Sequence, residues 1–69
     1  MTNNWKKVFS TNEMLLVRLA KDILKAHKID SVILNKQDSA YTVFGEQELH
    51  VPVTMASRAI AVLADNDIN

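Results

Sequence analysis

The chain's only glycine and only proline, Gly45 and Pro52, stand on either side of one clean alternation of apolar and polar residues. Residues 35–52, which contain them, constrain everything around. They begin as a polar loop (Asn35, Lys36, Gln37, Asp38, Ser39), pass Gly45 and become a strand from Glu46 to Val51. Leu49 and Val51 alternate with Glu48 and His50, so the first pair is expected inward and the second outward. Pro52 should end the pairing because it has no backbone N–H to donate.

Upstream, Trp5-Lys6-Lys7-Val8-Phe9 has the aromatic and β-branched content of a short strand. Its alternation is imperfect. Trp5, Lys7 and Phe9 share one parity and Val8 shares the other with Lys6, so either both faces are partly covered or a bulge changes the register. Val8 is expected to face the helices. That would place Trp5 and Phe9 on the sheet's other face, with Ile33, as a candidate interface. Large exposed apolar patches of this kind mark contact surfaces.

Ser10-Thr11-Asn12-Glu13 fits the capping-box pattern. A helix is expected from about Asn12 to His27, with Leu15, Leu16, Leu19, Ala20, Ile23 and Leu24 as its apolar stripe and Met14 and Val17 at the margins. Its exit lacks the usual glycine. His27 or Lys28 must take the left-handed position, at a cost of about 1 kcal/mol, with Ile29 folding back on the helix. Asp30–Asn35 forms a second strand, whose apolar run suggests burial on both faces or an Ile33 available to a partner. After Pro52, Thr54 is the expected N-cap of a second helix. Met55, Ala56, Ala59, Ile60, Val62 and Leu63 would be its apolar face. Asp65 and Asp67 oppose the helix dipole there, so its end is expected to fray.

The order is strand, helix, strand, strand, helix. A right-handed crossover leaves a gap beside the first strand, into which the third fits antiparallel. The expected class is α+β, a ferredoxin-like split βαβ of order βαββα. It has a three-stranded antiparallel sheet with two helices on one face, and forms a single domain over residues 1–69. The fourth strand of that fold is expected to be absent, because Ile68 and Asn69 are too few for a strand of about 5–6 residues.

Sixty-nine residues with no cysteine exclude a disulfide framework and a thiolate metal site. A domain of this size buries only about 60% of its unfolded surface. Its stability must come from packing, supplemented by a partner chain. Eight basic and eight acidic residues cancel, so nothing draws the chain to nucleic acid or to an anionic membrane. No apolar run approaches the ~20 residues of a membrane span. The first residues lack the apolar core of a signal peptide, and a soluble, cytoplasmic protein is expected.

Chemistry-bearing residues are few. Asn35, Lys36, Asp38, Ser39 and Tyr41 form a polar loop able to hold an anion or a small metabolite. The same Asn, Asp and Ser side chains more ordinarily shape a turn by bonding to nearby backbone. His27 and His50 have no set of ligands at metal-binding spacing, and both are expected to be solvent-exposed. Glu48 and His50 occupy the strand on which an RNA-binding sheet would need stacking aromatics. No nucleophile elbow supports a Ser-His-Asp arrangement. Neither a catalytic residue nor a cofactor is expected.

Four segments together resemble a family of small prokaryotic domains described as signal-transducing. They are Lys7-Val8-Phe9-Ser10-Thr11-Asn12, the Leu-rich first helix ending before Ile29, Asn35-Lys36-Gln37-Asp38-Ser39, and Phe44-Gly45-Glu46 with Leu49-His50-Val51-Pro52. The resemblance covers almost the whole chain. It implies a bacterial protein with a ferredoxin-like fold, related in shape to the PII nitrogen regulators, and a regulatory or binding role. It brings no catalytic residues. Lys28 stands where family members commonly have Gly. The expected function is a non-enzymatic regulatory module acting through a homodimer or a protein partner. Binding of a small metabolite or anion at the 35–44 loop is the alternative.

Overall fold

The computed structural model describes residues 4–36 and 46–68. In chain order these form β1 (Trp5–Thr11), α1 (Met14–Ala26), β2 (Val32–Lys36), β3 (Glu46–Pro52), a 3-10 turn (Val53–Met55) and α2 (Ala56–Asp65). The sheet order is β1-β3-β2, with β3 antiparallel to both neighbours. This is the expected ferredoxin-like βαββα arrangement, and among the described residues no fourth strand lies beside β1.

Both helices pack on one face of the sheet. Leu49 and Val51 of β3 enter a single core with Phe9, Val17, Ala20, Leu24, Ile29, Ala56, Ala59, Leu63 and Ile68. Ala20 and Ala59 are fully buried, and their small side chains let the helices come close. Leu24, Leu49 and Leu63 supply the bulk. Removing each from water contributes roughly 1.5–3 kcal/mol.

β1 carries a bulge. Lys7 lies opposite His50 and Phe9 opposite Leu49, so Val8 is the extra residue. A bulge lets two successive side chains turn the same way. Val8 packs against the core as expected, and Phe9 joins it at 9% exposure. Placing Phe9 on the outer face assumed an unbroken alternation and is corrected. Ile33, opposite Leu49, also packs onto the core rather than outward.

The capping box does not form. Ser10 is still in the ladder, opposite Glu48, and Thr11 Oγ1 accepts the Glu13 N–H at 3.1 Å. Glu13 takes the N-cap position, its carbonyl accepting the N–H groups of Leu16 and Val17. The buried stripe of α1 is Val17, Ala20 and Leu24, flanked by Leu16 and Ile23. Leu15, at 82% exposure, and Leu19, at 51%, lie outside it. The expected stripe was therefore rotated. Eight of the eleven residues from Met14 to Leu24 are apolar. A helix packed on one side buries an arc only a little wider than about 100°, and so cannot use them all.

α1 ends in a Schellman motif. Lys28 has φ 62°, Ile29 N–H donates to the Leu24 carbonyl at 2.9 Å, and Lys28 N–H to that of Lys25 at 2.9 Å. α2 ends the same way. Asp67 has φ 61°, Ile68 N–H donates to Leu63 at 2.8 Å and Asp67 N–H to Ala64 at 3.0 Å. Ile29 and Ile68 are both buried, so the expected fraying of α2 is replaced by a closed terminus.

Thr54 lies within the 3-10 turn and makes no capping bond; Met55 takes the N-cap position of α2. Ile60 is half-exposed rather than part of the buried face. Val53 N–H donates to the Asn4 carbonyl at 2.6 Å, fastening the turn to the start of β1.

Candidate functional site

The sheet's second face is covered by neither helix. Residues opposite one another in an antiparallel ladder project from the same face. Outward-facing Glu48 and His50 of β3 therefore bring Ser10 and Lys7 of β1, and Leu34 and Val32 of β2, onto this face. Trp5 joins them opposite Pro52. Each strand contributes because β3 alternates strictly and the bulge at Val8 leaves Lys7 and Trp5 pointing outward.

At its centre, His50 Nε2 lies 3.0 Å from Glu48 Oε1. An ionised carboxylate only accepts, so the imidazole nitrogen is the donor. Lys7 Nζ lies 3.8 Å from Glu48 Oε2. The side chains of Glu48 and His50 are 14% and 17% exposed, against 52% for Lys7. His50 is thus not the solvent-exposed histidine expected. The central strand hems it in, with Lys7 in the row on one side and Val32 on the other. Around this polar centre, Trp5 is 46% exposed, and Val32 and Leu34 are similarly open.

The arrangement is suited to contact. Glu48 accepts a hydrogen bond from His50 and lies within ion-pair distance of Lys7, so its carboxylate is already partnered before anything docks on it. Among the described residues no three of His, Cys, Asp and Glu gather as metal ligands. His27 is exposed at the C-cap of α1, remote in sequence and element from His50.

Of the candidate interface residues Trp5, Phe9 and Ile33, the structure keeps only Trp5 on the outer face. Of the candidate loop, Asn35 and Lys36 end β2, opposite Gln47 and Glu46. Asp38, Ser39 and Tyr41 lie outside the described residues. Sequence reasoning missed Val32, Leu34 and the Lys7–Glu48–His50 grouping. The outward parity of Glu48 and His50 was the available signal, and only the register of β1 adds Lys7.

Comparison of the chain with models of protein families, with curated proteins and with solved structures finds no match. Among the described residues, no helix is long and apolar enough to cross a membrane.

Proposed function

We propose that this protein is a non-enzymatic regulatory or interaction module that works by protein–protein contact through the outer sheet face. One observation carries the reading. Trp5, Val32 and Leu34 stand exposed around a Glu48 carboxylate partnered by Lys7 and His50, on the face that neither helix covers. Interfaces commonly place aromatic and apolar anchors in this way and deplete uncompensated charge. The balanced charge of the chain supports a protein partner over nucleic acid or an anionic membrane. The resemblance to small bacterial signal-transducing domains agrees with such a role in the cytoplasm.

Trp5 is the sole tryptophan and reports on this face directly. On raising the protein concentration or adding a partner, its emission should shift to the blue, and amide resonances of the outer-face positions should move. A Val32→Ser, Leu34→Ser double variant, which keeps Trp5 as the reporter, should lose both responses while remaining folded. Saturable shifts confined to residues 35–44 on adding nucleotides or central metabolites, with the outer face silent, would instead establish the ligand-binding alternative.

A further inference from the structure

The two edges of the sheet are guarded differently. β1 carries Lys6 and Lys7 and breaks its register at Val8. Charged residues and bulges are the devices by which natural edges refuse another strand. β2 has neither at its middle. Val32, Ile33 and Leu34 follow one another without charge, and all five β2 positions pair with β3 in unbroken register. Among the described residues no strand lies on the other side of β2.

We propose that the free edge of β2 pairs antiparallel with β2 of a second copy of this chain. The two-fold axis passes at Ile33 and joins the two sheets into one of six strands. This rests on the interaction reading above and names its partner. Residues 30–36 read Asp-Ser-Val-Ile-Leu-Asn-Lys. Pairing about Ile33, carried two residues past the start of β2 at Val32, sets Asp30 opposite position 36 of the second copy, a lysine. Ser31 meets Asn35, and Val32 meets Leu34. By residue type this register matches acid with base, polar with polar and apolar with apolar, and symmetry repeats each pair.

The neighbouring symmetric registers lack this match. An axis at Leu34 sets Val32 against Lys36 and Ile33 against Asn35. An axis at Val32 sets Asp30 against Leu34 and Ser31 against Ile33. Face parity rules out registers between these, because residues directly opposite must project from the same side. Asp30 is exposed and so accessible to the second copy. Val32 and Leu34 already face outward, so the pairing would align four apolar side chains across the joint and merge the two outer faces.

Charge exchange tests the register. Sedimentation at about 0.15 M salt, near physiological ionic strength, should show a wild-type dimer. Asp30→Lys or Lys36→Asp alone replaces two attractive cross-strand pairs by two repulsive ones. Each should weaken association about tenfold, the combined effect of pairs of this strength. The double exchange, Asp30→Lys with Lys36→Asp, should return the affinity to within about threefold of wild type by restoring both pairs. Circular dichroism on each variant separates lost association from lost fold. Single reversals without effect in folded protein, or a double exchange that fails to rescue, would overturn the proposal. So would a chain monomeric at the highest concentration reached. If the Trp5 and outer-face responses persist in any of those cases, the β2 pairing falls and the interaction module stands. If they vanish too, both fall.

Discussion

The two helix ends solve the same geometric problem with opposite chemistry. Leu24-Lys25-Ala26-His27-Lys28-Ile29 and Leu63-Ala64-Asp65-Asn66-Asp67-Ile68 both close in a Schellman motif, with a leucine at the first position and a buried isoleucine at the last. At the end of α1, Lys25 and Lys28 suit the negative pole of the helix dipole, but lysine is poorly suited to the left-handed backbone at position 28. At the end of α2, aspartate at position 67 tolerates that backbone better, while Asp65 and Asp67 oppose the pole. Each end satisfies one demand and violates the other. What the two share is the apolar clasp, which is therefore the feature that decides closure.

The strongest way to break this comparison is to remove the clasp. Ile29→Ala and Ile68→Ala should each lower stability by roughly 2–5 kcal/mol, as for other buried large-to-small changes. Against a total of about 3–10 kcal/mol for a domain of this length, either loss is severe. Denaturant midpoints for both variants provide the check. An Ile68→Ala protein as stable as wild type would mean that α2 does not depend on its clasp. A smaller effect isolates backbone strain: Lys28→Gly should stabilise by up to about 1 kcal/mol, less whatever the lysine charge contributes at the dipole. The smallest isolates charge: Asp67→Asn keeps a residue tolerant of positive φ and should gain about 0.3–1 kcal/mol at low salt. That gain should fade at 1 M salt, where screening acts within about 3 Å. Persistence at high salt would assign it to something other than the dipole.

Much of the fold was legible because β3 alternates strictly, and a period of two admits one inward set, Leu49 and Val51. The strand order followed from that, together with the handedness of the crossover. The face of α1 was not legible, because its apolar residues outnumber the positions one sheet face can cover. Choosing the bulkiest leucines placed Leu19 inside and Val17 at the margin, the reverse of their actual positions. Adjacent apolar residues at Val8 and Phe9 left the parity of β1 open, and only the register against β3 reveals the bulge. The candidate site inherited that ambiguity. Glu48 and His50 could be placed outward from their own strand, whereas Lys7 reaches them only through the ladder between β1 and β3. The acids at Asp65 and Asp67 drew attention to the dipole and away from Ile68, whose burial closes the helix.

The placement of β3 between the other strands has a consequence in time. Among the described residues neither β1 nor β2 has a strand neighbour except β3, and in the β1 ladder Thr11 pairs with Gln47 and Trp5 with Pro52. A ribosome extending the chain at about 5–20 residues per second must therefore run for seconds after completing β1 before its partner exists. Throughout that interval the apolar stripe of α1 has no sheet to lie on. Of the three described strands, the last to be made is the one on which the other two assemble.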